Sequence, residues 1–306
     1  MPDEMMGMTS LDERLLADYD LALDAEGFSG RRLASRLASV AAIGLTPGGG
    51  SCRPGYSLAE KAAKDLVCEW MRQAGLFVLR DAAGNCFGRL PGRRNNLPAV
   101  MSGSHIDTVP NGGHFDGILG VLLALEAVEM WKSTGFVPER SYDVVIFSEE
   151  EGSSFNVGCV GSSAIVGRPI VQELQSVTDQ DGRSFALAVE EVGLSLAAFP
   201  EAKRDLGQIA SFVEVHIEQG RVLERSGLPV GVVSGICGLV CLDIPITGEA
   251  GHSCTTPMKF RRDALVAASR TGAAISEPPA STNDTAVATV GPLRVWPHGS
   301  NPVPGK

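Results

Sequence analysis

Apolar residues recur at helical intervals through SLAEKAAKDLVCEWMRQAG, residues 57–75. Ser57 and Glu60 form a capping-box pattern, Leu58, Ala62, Leu66 and Met71 fall near one face, and Gly75 ends the element. FVLR (77–80) and CFGRL (86–90) flank the turn-forming DAAGN, which predicts a hairpin. Ala99 to Ser102 reads as a buried strand, Ile118 to Trp131 as an apolar helix and Asp143 to Ser148 as a second short apolar strand. Helical patterns near 169–177 and 184–193 precede a strand at 211–216. Strands alternating with helices predict an α/β fold: a mixed, mostly parallel sheet with helices on both faces. Functional groups in such sheets gather at the carboxyl ends of the strands.

The pattern changes near Gly235. LVCLDIPITG (239–248) reads as a strand, 261–275 as a helix and AVATVGPLRVW (286–296) as one long or two short strands. Two domains are therefore expected, a first at 1–234 and a second, an incomplete α+β unit, at 235–306. A chain of 306 residues is long enough for both. A β-α-β start without closing elements leaves an open sheet edge, so the ending at Lys306 reads as abrupt.

Composition narrows the function. Apolar residues make up 44% and charged ones 20%, ordinary for a globular protein. Acidic side chains outnumber basic ones 36 to 26, for a formal charge of -10, which argues against nucleic acid or an anionic membrane as partner. No apolar run is long enough to span a bilayer, and MPDEMMGMTSLDERLL lacks a signal-peptide core. Seven scattered cysteines without a CxxC pair read as reduced thiols of a cytoplasmic protein rather than a disulfide frame or a thiolate zinc cluster.

Three expected strand ends carry chemistry. SHIDTVPNGGHFDG offers His105, Asp107, His114 and Asp116. FSEEEGSSF offers Glu149, Glu150 and Glu151, and FVEVHIEQG offers Glu214, His216, Glu218 and Gln219. Singly, each is an ordinary turn or surface group. Together at adjacent strand ends they form the imidazole and carboxylate set that holds zinc, manganese or a similar ion. Gathering carboxylates without a cation costs several kcal/mol.

From GGGSCR near Gly48 onward, GSHIDTVPNGGHFDGILGV, EEEGSSF, FVEVHIEQGRVLE, GEAGHSCTTPMKFRRDAL and VATVGPLRVWPHGSNPVPG resemble, in order, the motifs of one amidohydrolase family. It comprises the N-carbamoyl-L-amino-acid hydrolases, allantoate amidohydrolases and β-ureidopropionases of the M20 metallopeptidase group. The resemblance implies a dinuclear metallohydrolase fold with a ferredoxin-like lid, two zinc or manganese ions, a homodimer and a small ureido or carbamoyl substrate. It implies that His105 and His216 bind one ion, with Asp116 bridging to a second bound by Glu151. Glu150 would be the general base, and Asp107 would stand behind His105. His252 would steady the tetrahedral oxyanion, and Gln219 and Asn301 would contact substrate. His114 falls where the family's side chain varies, so it is not counted as a ligand.

The pattern departs in places. The family's last metal histidine and its carboxylate-binding arginine have no counterpart up to Lys306, so one metal site is complete and the other keeps only Asp116 and Glu151. Ser154, Ser253, Cys254 and Pro302 replace other residues within motifs. The expected activity is metal-dependent hydrolysis of a linear amide C–N bond in an N-carbamoyl-L-amino acid or allantoate-type compound. The alternatives are an incomplete, inactive member of the family and an M20-type aminopeptidase.

Overall fold

The structure, a computed structural model, describes residues 10–277 and 286–306. The start of the N-terminal segment discussed above lies outside the described residues. These residues divide into two compact units, one ending at Val230 and the other beginning at Gly231.

The first unit is built on five strands: β1 (Phe77–Arg80), β2 (Cys86–Leu90), β3 (Ala99–His105), β4 (Tyr142–Phe147) and β5 (Ile209–Val213). Their order is β1-β2-β4-β3-β5. The β1–β2 hairpin is antiparallel, with Arg80 opposite Cys86, and β2 runs antiparallel to β4. β3 lies between β4 and β5 and is parallel to both, so three carboxyl ends open on the same side. The ladder of β5 stops at Val213, and Glu214 to His216 continue without strand pairing, shorter than the expected 211–216.

Its helices are α1 (Leu11–Leu16), α2 (Gly30–Ala41), α3 (Leu58–Gln73), α4 (Ile118–Thr134), α5 (Val160–Ile165), α6 (Val171–Gln175), α7 (Phe185–Glu191) and α8 (Val222–Ser226). Alternate residues of β4 serve opposite faces of the sheet. Val144 and Ile146 join a core with Val67 and Met71 of α3 and Leu122 and Leu125 of α4, whereas Val145 packs with Phe87, Met101 and Ile165. Helices thus cover both faces. α2, absent from the sequence reading, is capped by Ser29 and buries Ala34, Leu37 and Val40. It meets α4 through Glu126, which is 1% exposed and takes hydrogen bonds from Ser29 N and from Arg32.

α3 corrects the expected face. Ser57 accepts from Glu60 N as the capping pattern predicts, but the Glu60 carboxylate bonds Tyr56 N. Leu58 is exposed, while Glu60, Ala63, Lys64, Val67 and Met71 are buried. Glu60 and Lys64 form an ion pair inside the core, so a charged pair sits on the buried face where an apolar pattern would place only carbon.

The second unit contains α9 (Ala264–Ser276), N-capped by Asp263, and the two-residue pair β6 (Gly251–His252) and β7 (Pro302–Val303). Residues 239–248 and 286–296 do not form the strands expected of them. Apolar alternation favours an extended chain, but a strand needs a hydrogen-bonded neighbour, and neither segment has one among the described residues. Among the described residues, no helix is long and apolar enough to cross a membrane.

Gly103 sets the spacing of the central ladder. Its φ is +149°, and a Cβ there would lie 2.0 Å from Val145 O on β4. Gly113, with open space around it, has no such constraint. Gly103→Ala should lose at least the ~1–3 kcal/mol typical of overpacking, and Gly113→Ala should stay within about 0.5 kcal/mol of the parent in urea unfolding. Equal midpoints for the two variants would show that the β3–β4 approach is not set by this glycine.

Candidate metal centre

β3 ends at His105, β4 runs into the Glu149–Glu151 turn, and the segment after β5 delivers His216. Parallel pairing therefore brings all three expected strand ends to one side. Donor atoms of His105, Asp116 and His216 lie within 4.8 Å of one another, as do those of His105, Glu150 and Glu151. His216 Nε2 is 3.2 Å from Asp116 Oδ1, and His105 Nε2 is 3.6 Å from Glu150 Oε2. The two imidazoles stack with centroids 5.9 Å apart.

Both rings are oriented alike. His105 Nδ1 is 3.0 Å from the backbone carbonyl of Asp107, and His216 Nδ1 is 2.9 Å from that of Ile217. A carbonyl only accepts, so each Nδ1 donates its N–H and each Nε2 is left for another partner. Asp107 was expected to receive the His105 N–H on its carboxylate. The backbone oxygen is nearer, and the carboxylate Oδ1 stands 3.5 Å away. Asp107 Oδ2 instead accepts the N–H groups of Glu150 and Glu151, each at 3.0 Å.

Asp116 lies just before α4. Its Oδ2 accepts from Gln219 Nε2 at 2.8 Å, while Oδ1 is buried without a hydrogen-bond partner. An orphaned carboxylate oxygen beside two imidazole Nε2 atoms fits a divalent cation. Gly117, with φ +65°, makes room: a Cβ there would lie 2.4 Å from His105 Nε2. In the sequence, the only sign of this requirement is the glycine that follows Asp116.

Electrostatics follow from burial and crowding. Burial works against charge on His105, but the adjacent Asp107 carboxylate and the Glu150 and Glu151 charges outweigh it and raise the ring to about 9. Burial also opposes charge on Asp107, whose pairing with His105 nevertheless holds it below the usual carboxylate range. Glu151 is raised to about 7 by burial, with Asp116 and Glu150 adding to it against the pull of His105. Glu149, fully buried with neither oxygen hydrogen-bonded, is raised to about 9 by burial and by Asp107.

The remaining candidates have other partners. His114 Nδ1 bonds Ser51 Oγ at 2.8 Å, tying its loop to GGGSC. Glu214 accepts from Ser104, and Glu218 caps α8 through Val222 N and Leu223 N. In the second unit, His252 Nε2 is 3.0 Å from Asn301 Nδ2, and Asn301 Oδ1 accepts from Ser253 Oγ.

A mixed sheet with imidazole and carboxylate donors at its parallel strand ends is the arrangement of an α/β metallohydrolase. The family model described as Peptidase family M20/M25/M40 matches residues 101–292, and the chain belongs to that family. It is 44% identical over 275 residues to an N-carbamoyl-L-amino acid amidohydrolase of Geobacillus stearothermophilus, covering 90% of this chain and 67% of that one. It is 38% identical to an allantoate amidohydrolase of Escherichia coli K12, over 88% of this chain and 65% of that one. The chain thus spans about two thirds of the length of these relatives. A hydantoinase/carbamoylase family amidase from Burkholderia ambifaria superposes with a TM-score of 0.72 at 31% identity, over 92% of this chain and 68% of that one.

Metal binding should report the state of His105. The ion takes the neutral ring, whereas below about 9 the ring holds a proton. Zinc affinity should therefore fall roughly tenfold per unit as pH drops from 9 toward 7, with about one proton released per ion. Titration calorimetry in buffers of different ionisation enthalpy measures both quantities. A pH-independent affinity without proton release would contradict the assignment of His105.

Proposed function

We propose that this chain carries the metal-dependent hydrolytic centre for a linear amide C–N bond, in an N-carbamoyl-L-amino acid or an allantoate-type ureido compound. The observation that carries this reading is the convergence of His105, Asp116 and His216 beside Glu150 and Glu151. Imidazole nitrogen with carboxylate oxygen suits zinc or manganese. His105, Asp116 and His216 would hold one ion tightly, and Asp116 with Glu151 would hold a second more weakly. When bound, a divalent ion supplies Lewis acidity, polarising the substrate oxygen and making water acidic enough to lose a proton near neutral pH.

The side chains do the rest. Glu150 is the general base: it takes a proton from the attacking water and returns it to the leaving nitrogen as the C–N bond breaks. Its side chain is 40% exposed, so solvent and substrate reach it, while its backbone is fixed by Asp107. Asp107 keeps the N–H of His105 on Nδ1 and so directs Nε2 inward. Gln219 and Asn301 would contact the substrate, and His252 would stabilise the oxyanion. The Gln219–Asp116 bond is consistent with a position beside the metal ligands. The names of the relatives favour a carbamoyl or ureido substrate over a peptide. The protein would act as a homodimer in the cytoplasm.

Glu150→Gln keeps the shape and hydrogen bonding of the side chain but removes proton acceptance. Ammonia release from N-carbamoyl amino acids or allantoate should drop by at least about 10²-fold, with metal content unchanged. Loss of bound metal in Glu150→Gln, with retention in Glu151→Gln, would reverse the roles of the pair.

A further inference from the structure

The turn bearing Glu150 and Glu151 is anchored on two sides. On the metal side, Asp107 takes both of their N–H groups. On the core side the anchor is Asn85, a residue of the hairpin turn with no solvent exposure. Its Oδ1 accepts the N–H of Ser148 at 3.0 Å, one residue before the three glutamates. Its Nδ2 donates to Asp81 Oδ2 at 2.8 Å and to Gly161 O, on α5, at 3.1 Å. Gly161 N in turn donates to Ser148 O at 2.8 Å. Lys64, buried beside Glu60, donates to Ser148 Oγ at 2.7 Å.

The fit demands an amide. One end of the side chain must accept from Ser148 while its other atom donates twice, which neither a carboxylate nor an apolar group can do. The approach is close enough that a Cβ on Gly161 would lie 2.0 Å from Asn85 Oδ1. Directly after the anchored Ser148, Glu149 adopts φ +48°, a left-handed conformation that is costly for a side-chain-bearing residue. That kink separates the buried Glu149 from Glu150 and Glu151, whose donor atoms lie with His105. A strained kink persists only where its surroundings hold it, and Asn85 and Asp107 grip it from opposite ends.

We propose that Asn85 is a positioning residue for the general base. Through Ser148 and Gly161 it holds the Glu149 kink, and thereby sets where Glu150 and Glu151 stand relative to His105. The inference rests on the roles given above to Glu150 and Glu151. It leaves the His105–Asp116–His216 trio untouched, because those residues lie on other segments.

The test compares Asn85→Asp with the parent chain, with Asn85→Ala as a second arm that introduces no charge should the first variant fail to fold. Three quantities are read: amide hydrogen exchange by segment, zinc titration, and turnover on N-carbamoyl amino acids and allantoate. Segment 148–161 should lose protection while 99–105 keeps it, tight zinc binding by the trio should be unchanged, and kcat should fall about 10–100-fold. Protection lost evenly across the first unit, or a kcat and a 148–161 protection equal to the parent's, would overturn the proposal. If the parent itself turns over no carbamoyl or ureido compound, the proposed function fails, and exchange with zinc titration still decides the role of Asn85.

Discussion

The Asp107 carboxylate joins the parts of the centre. It is fully buried, stands 3.5 Å from His105 Nδ1 through one oxygen and collects the N–H groups of Glu150 and Glu151 on the other. One side chain therefore links the ends of β3 and β4, which are neighbours in the sheet but far apart in sequence. A buried charge is tolerated only when other charges or hydrogen bonds offset it, and here the bonds to Oδ2 fix the backbone of Glu150 and Glu151 beside the His105 ring. The parallel register supplies the coarse approach, and Asp107 supplies the fine one.

Beneath this carboxylate lies an unusually polar interior. Glu60, Lys64 and Glu149 are buried close to the chemistry, and both Glu149 oxygens lack hydrogen-bond partners. Burial, with the crowding of acidic groups added to it, raises Glu149 and Glu151 and favours a proton or a cation nearby. The same crowding makes this region costly to leave without positive charge, and the Lys64 ammonium offsets part of it while Glu60 adds to it. Polar groups inside α/β cores of this kind are high-stakes: satisfied, they fix one geometry, and unsatisfied, they weaken it.

Much of this was legible in the chain, for physical reasons. The apolar run of β4, the hairpin around Gly84 and the helix capped by Ser57 are local signals, and each formed where the pattern placed it. His105 and His216 come together because β3 and β5 are parallel and open on one side, and the loop leading into α4 adds Asp116. The burial face of α3 was misread because Glu60 and Lys64 neutralise each other inside, a tertiary pairing that periodicity cannot display. α2 went unseen because arginines interleave with its apolar residues, and two of them meet Glu126 and Glu129 of α4. The alternating segments at 239–248 and 286–296 show the converse: a strand pattern without a partner makes no strand.

X-ray absorption on the chain loaded with one equivalent of zinc tests the central claim most directly, because it identifies the donor atoms without requiring turnover. Two imidazole rings at about 2.0–2.1 Å with carboxylate oxygen, and no sulfur, are what His105, His216 and Asp116 predict, and His216→Ala should remove one ring. A sulfur shell near 2.3 Å, or a spectrum unchanged by His216→Ala, would place the ion elsewhere and contradict the account.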